Sequence, residues 1–211
     1  MKDETLRVAS PPRPGQRTRR IILAISCLLG LGIFLVADSY WPDGEFVHES
    51  IEWIGIGLIT VCVAGRTWCI LYIGKRKNHD LVQDGPYSMV RHPLYLFSII
   101  GAIGVGAQAG GFTAALVAGF LTWAILHRMS QIEEDNMLEI FGSKYFEYMM
   151  RVPRLSPNFS LYHSRTSLEV FPRQIMMTFF DAMIFFVAVP LMEVFDYLHD
   201  AGILPTLFHL P

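Results

Sequence analysis

Residues 94–126, LYLFSIIGAIGVGAQAGGFTAALVAGFLTWAIL, carry no charged side chain. Two apolar runs, Leu94 to Ala107 and Phe112 to Leu126, flank the small, polar stretch Gln108-Ala109-Gly110-Gly111. A helix needs about 20 apolar residues to cross roughly 30 Å of hydrocarbon. The pattern therefore predicts two antiparallel crossings joined by a tight turn. The first run is short and glycine-rich, and Gly101, Gly104 and Gly106 would let a neighbouring helix come close.

Three further apolar runs lie outward from this hairpin. They are Ile21 to Ala37, Ile51 to Ile73 with Arg66 inside it, and Ile175 to Phe195 with Asp181 and Pro190 inside it. Arg66 and Asp181 each lie seven residues from the basic end of their span, roughly 10 Å deep at 1.5 Å per residue. Charges at that depth usually face the bundle interior and pair. The expected fold is all-α, a polytopic membrane helix bundle of about five transmembrane helices with a small cytoplasmic part. It divides into a basic tail (1–20), two crossings (21–73), a central region (74–173, with its hairpin at 93–127 and cytoplasmic helices at 128–157), and a last crossing with a short tail (174–211).

Charge orients the bundle. Residues 1–20, 74–93 and 127–174 hold sixteen of the seventeen Lys and Arg, and Arg66 is the other. The opposite loop, 38–50, has Asp38, Asp43, Glu45 and Glu49 and no base. Basic loops stay in the cytoplasm, which places the N-terminus there. The Pro- and Arg-rich residues 1–20 suit anionic headgroups of membrane lipids, and the run after them is expected to be a retained anchor, not a cleaved signal.

Over 211 residues, 52% are hydrophobic and 17% charged, against about 25% charged in ordinary soluble domains. That excludes a disordered or collagen-like chain and a typical soluble enzyme. A net charge of -2 gives no basic field for nucleic acid. Cys27, Cys62 and Cys69 all fall in apolar runs and are expected to be packing residues, with no metal site.

Two segments differ from the rest. In KRKNHDLVQDGPYSMVRHPLY, residues 75–95, Gly85-Pro86 marks a turn, and Pro93 suits the first position of a helix. Arg91 and His92 then lie beside the open N–H groups of that helix start, which favours an anionic ligand group. The competing reading makes Lys75, Arg76, Lys77 and Arg91 topology anchors. In HRMSQIEEDNMLEIFGSKYFEYMMRVPRLSP, residues 127–157, no helix breaker interrupts Leu126 to Ile140, so the fourth crossing is expected to continue as one long helix. Phe141-Gly142 ends it, and a short second helix carries Tyr145 and Tyr148 on one face. Glu133 and Glu134 point about 100° apart, so one turns inward while the other meets water. Composition alone favours a solvated acidic face for the pair.

Gly85-Pro86-Tyr87, Arg91-His92-Pro93 and Tyr95, followed by Glu133-Glu134, Leu138, Phe141-Gly142, Tyr145, Tyr148, Arg151-Val152-Pro153 and Pro157, form a bipartite signature. It resembles the isoprenylcysteine carboxyl methyltransferase family and its phospholipid methyltransferase relatives, over about residues 66–157. The resemblance implies an integral membrane enzyme that uses S-adenosylmethionine and takes a lipophilic or lipidated acceptor from the bilayer. It implies cofactor contacts at His79, Asp80, Leu81, Val82, Tyr87, His92, Pro93, Leu94, Tyr95 and Glu133, with Glu134 supporting the pocket. Arg128, Arg151 or Arg154 would bind an anionic acceptor. The compact chain is similar to smaller prokaryotic members, which implies a bacterial or archaeal inner membrane.

Two positions depart from the family pattern. Phe97 stands where a glycine is usual, and Met129 stands where a substrate-side arginine is usual, with Arg128 one residue off. A carboxylate acceptor needs no base and an amine does. The scarcity of base candidates favours a carboxylate, with a phospholipid amine as the alternative. A sterol-reductase-type enzyme with a nicotinamide cofactor shares a similar element reading HPNY; Leu94 replaces that asparagine here, and the paired glutamates fit the methyltransferase pattern better.

Overall fold

The computed structural model describes residues 37–39, 45–74, 80–203 and 208–210. The basic tail, nearly all of the run Ile21 to Ala37, and His79 lie outside the described residues.

The described chain is helical apart from two three-residue strands, β1 (Ala37–Ser39) and β2 (Phe208–Leu210), which pair in parallel. Helix α1 spans Phe46–Ile73. It begins five residues before the apolar run, with Glu49 in its first turn, where a carboxylate meets the positive end of the helix dipole. A short α2 (Pro86–Met89) leads to α3 (Pro93–Ala107), α4 (Phe112–Phe141) and α5 (Ser143–Arg151). Helices α6 (Pro172–Met183) and α7 (Ala188–Asp200) follow, joined by a 3₁₀ turn, Ile184–Val187. Pro190 at the third position of α7 has no N–H for the Phe186 carbonyl, and the chain tightens just before it.

Among the described residues, three helical stretches are long and apolar enough to cross a membrane: Phe46–Ile73, Phe112–Phe141 and Pro172–His199. The protein is a helical membrane bundle. The predicted third crossing forms as α3, but its 15 residues rise only about 22 Å, less than the hydrocarbon thickness. The 30 residues of α4 rise about 45 Å, so its polar end projects well beyond the apolar part.

Helix α3 is sandwiched between α1 and α4, and α6 packs on α1. Lipid is as apolar as leucine, so close backbone approach and polar links must hold such helices together. A Cβ added to Gly104 would lie 2.7 Å from the Gly55 carbonyl oxygen, and one on Gly55 would lie 2.8 Å from that of Gly104. At Gly65 an added Cβ would lie 2.2 Å from the Phe97 ring. The bulk that α3 carries at Phe97 is thus received by a missing side chain on α1. Trp53, Leu116, Phe120, Phe180 and Ile184 face outward, as lipid contact requires.

The two charges placed deep by sequence meet. Arg66 donates through Nη2 to Asp181 Oδ2 at 3.0 Å and through Nη1 to Ser98 Oγ at 2.6 Å. One guanidinium therefore links α1, α3 and α6.

Gly104→Ala is expected to cost about 1–3 kcal/mol by overpacking against backbone, lowering the thermal midpoint in detergent. Gly57→Ala, whose added carbon meets nothing within 4 Å, should not. A double-mutant cycle of Arg66→Met with Asp181→Asn should give a coupling of about 0.5–2 kcal/mol; independent effects would deny the pair a structural role.

Candidate functional site

The site is built from three segments. After α2 the chain extends at Val90, and His92 becomes the N-cap of α3, with Pro93 at its first position and no side-chain cap. The segment after α5 runs back along this stretch. The Arg91 N–H donates to the Pro153 carbonyl at 2.9 Å and the His92 N–H to the Arg154 carbonyl at 3.2 Å. The Asn158 N–H donates to the Met89 carbonyl at 2.9 Å, and the Gly85 N–H to the His163 carbonyl at 2.8 Å. Buried backbone groups thereby find partners.

Tyr145 and Tyr148 bring α5 onto this assembly. Both are buried with Val152, against Leu81, Met137, Leu138 and Phe141. The Tyr148 hydroxyl donates to the Tyr87 carbonyl at 2.6 Å. Burial pushes both phenols above the ordinary tyrosine range, so they stay neutral donors.

The polar centre is Glu134, only 2% exposed. Arg154 Nε donates to Oε1 at 3.1 Å and to Oε2 at 3.0 Å, and its Nη2 donates to Oε2 at 2.6 Å. His92 Nε2 lies 3.1 Å from Oε1. Burial alone would raise this carboxyl; the hydrogen bonds from His92 and Arg154 and the charge of Arg91 outweigh it and hold it at about 2. Glu133, one step round the helix, is partly exposed. It accepts a hydrogen bond from the Tyr95 hydroxyl at 2.6 Å, and its Oε2 lies 3.7 Å from His92 Nδ1. The His92 and Tyr95 rings stack 5.4 Å apart. The inward and outward division of the two glutamates is as the helix geometry predicts.

Of the residues singled out from sequence, His92, Tyr95, Glu133, Glu134 and Arg154 come together here. Pro93 is fully buried at the helix start. Tyr87 lies in an apolar cluster with Cys69 and Tyr72, with Val82 and Leu94 packed against it. Leu81 joins the Tyr145–Tyr148 cluster, and Asp80 is exposed. The three arginines do not converge. Arg151 is exposed and donates to Gln83 Oε1 at 2.6 Å, while Arg128 is exposed and donates to Gln131 Oε1 at 3.1 Å. Met129 turns inward, against the cluster of Tyr95, Ile99 and Leu126.

Arg91, read from sequence both as a neighbour of an anion-favouring helix start and as an anchor, belongs to this centre. Its side chain is 9% exposed, and Nε lies 3.3 Å from Glu134 Oε1. Arg91 Nη1 and the Tyr87 hydroxyl are buried with no hydrogen-bond partner. Arg91 thus offers open donors beside Glu134, and Glu133 a partly exposed carboxylate beside His92, a set that suits a ligand bearing both an acid and amino or hydroxyl groups.

Residues 55–139 match the isoprenylcysteine carboxyl methyltransferase (ICMT) family. The chain is 33% identical to the cobalt-zinc-cadmium resistance protein CzcN of Cupriavidus metallidurans, over 82% of this chain and 80% of that one. It is 30% identical to the nickel-cobalt-cadmium resistance protein NccN of Alcaligenes xylosoxydans xylosoxydans, over 84% and 82%. It is 34% identical to the protein-S-isoprenylcysteine O-methyltransferase of Schizosaccharomyces pombe, over 43% of this chain and 39% of that one. No solved structure matches.

Glu134→Gln leaves Arg154 and Arg91 without their counter-charge and is expected to cost about 3 kcal/mol. The folded carboxyl sits at about 2, below its ordinary 4.5. Its contribution is therefore complete above that ordinary value and is lost as pH falls toward the folded one. Chemical denaturation should show the gap between wild type and E134Q shrinking as pH falls below about 4.5. A gap that persists unchanged at acid pH would contradict this assignment.

Proposed function

The chain belongs to the isoprenylcysteine carboxyl methyltransferase family and is a membrane methyltransferase, and we propose that it moves a methyl group from S-adenosylmethionine to a carboxylate on a lipophilic acceptor drawn from the bilayer. The reading is carried by the meeting of His92, Tyr95, Glu133 and Glu134 between the start of α3 and the polar end of α4. The residues fit the cofactor. Arg91 Nη1 and the Tyr87 hydroxyl are buried polar atoms awaiting partners, and S-adenosylmethionine has an acid, an amine and hydroxyls to offer.

When bound, the cofactor supplies a methyl carbon already activated by its positive sulfur. The protein then has to align the reactants and exclude water, and alignment alone removes much of such a barrier. In this proposal Glu133 accepts hydrogen bonds from the cofactor's amino or ribose groups, while His92, Pro93, Leu94 and the start of α3 hold its carboxylate end. Tyr87 and Tyr95 pack on the adenosine and sulfonium, since aromatic faces attract cations. His79, Asp80, Leu81 and Val82 complete the cofactor side, and Glu134 supports it. Arg154, with Arg151 and Arg128 further out, serves an anionic acceptor. The site lies on the cytoplasmic side, where the N-terminus also lies.

An oxygen acid is favoured over an amine by the state of the carboxylates. Glu134 is ion-paired and held at about 2, and Glu133 already accepts from Tyr95. Neither is arranged to strip a proton from an ammonium.

Purified protein in nanodiscs, given methyl-labelled S-adenosylmethionine and a total membrane lipid extract, should yield a labelled lipid that releases its label in base, as an ester does. Label that resists base would point to an amine acceptor, and no transfer would count against the reading. Glu133→Gln should weaken cofactor binding about tenfold by calorimetry.

A further inference from the structure

Arg91 has a counter-charge in Glu134 but holds hydrogen-bond donors that its surroundings do not fill. Arginine is always protonated. This one is nine-tenths buried, with Nη1 unpartnered and Nε 3.3 Å from Glu134 Oε1 but out of line for a hydrogen bond. Glu134 is otherwise engaged, both oxygens by Arg154 and one also by His92 Nε2. Buried guanidinium donors left open are costly unless an acceptor completes them, and an anionic one does so best. The residue after Arg91 is the N-cap of the 15-residue α3, which has no side-chain cap, so the positive end of a helix dipole adds to the same field.

We propose that Arg91 is the receptor for the methionyl carboxylate of S-adenosylmethionine, its guanidinium fork acting with the start of α3. The inference rests on the cofactor reading above and adds to it the charged group that recognises the acid. Position favours the cofactor over the acceptor as the source of that acid. Arg91 is pinned through its own N–H to Pro153, beneath the returning segment and next to the His92–Tyr95 element. A lipid acceptor would arrive from the outward apolar faces of the helices.

Ligand truncation tests this. Calorimetry on the full-length protein in detergent would compare S-adenosylhomocysteine with 5′-methylthioadenosine, which lacks the amino-acid portion. Arg91→Gln should weaken the first by about ten- to a hundredfold, the range of a lost charge-assisted contact, and leave the second within about twofold. Equal losses for both ligands would make Arg91 a structural support, and no loss for either would remove it from the site; both overturn the inference. A fall in acceptor affinity with unchanged S-adenosylhomocysteine binding would overturn it in favour of an acceptor receptor. If R91Q cannot be purified, wild-type protein decides. The methyl ester of S-adenosylhomocysteine should bind at least about tenfold more weakly than the free acid, and equal binding overturns the inference. Wild-type protein that binds neither nucleoside would instead bring down the cofactor reading itself, and Arg91's role with it.

Discussion

A carboxylate sealed from water at position 134 must be neutralised by partners that the fold brings to it. Arg154 arrives from the segment after α5, and His92 and Arg91 from the start of α3, more than 40 residues earlier in the chain. Satisfying one acid therefore fixes the relation of three segments that share no continuous backbone. The backbone hydrogen bonds from Arg91 and His92 to Pro153 and Arg154 serve the same constraint, because they hold the cations beside Glu134. Without that charge balance, the two halves of the sequence signature would have little reason to close on one another.

The apolar part of the bundle obeys different rules. Lipid supplies no hydrophobic drive between helices, so α1 and α3 rely on the Gly55–Gly104 contact and on the Phe97 ring over Gly65. Arg66 adds a polar link across three helices. These contacts set the angle at which α3 reaches its polar end, and thus where His92 sits.

Much of this was legible in the sequence because it depends on local periodicity and on rare residues. The hairpin turn at Gln108, the stop at Gly142, the long α4 and the pairing of Arg66 with Asp181 each follow from a breaker, a cap or a misplaced charge. The opposed directions of Glu133 and Glu134 follow from 100° per residue. Tertiary facts were not legible. Arg91 looked like a topology anchor because a basic residue at a membrane boundary has a sufficient reason to be there. Its burial became visible only with the returning segment 152–158 in place. The three arginines taken together from sequence separate for the same reason, since only Arg154 lies on the strand of chain that passes Glu134.

The two departures from the family pattern also resolve differently. Phe97 is accommodated in full, the space being yielded by Gly65. At 129 nothing substitutes: the methionine turns inward against Tyr95, Ile99 and Leu126, with Leu155 alongside, while Arg128 turns out to Gln131. The side of Tyr95 that meets Met129 is consequently apolar. Of the two arginines at this centre, Arg91 is assigned to the cofactor in the proposal above, and Arg154 already gives three hydrogen bonds to Glu134. In the proposed reaction, ion pairing would then contribute less to holding the acceptor than the burial of its lipid body does. An apolar wall does not discriminate strongly among acids of similar shape, so the chain's selectivity would lie in the size and form of the lipid rather than in its headgroup.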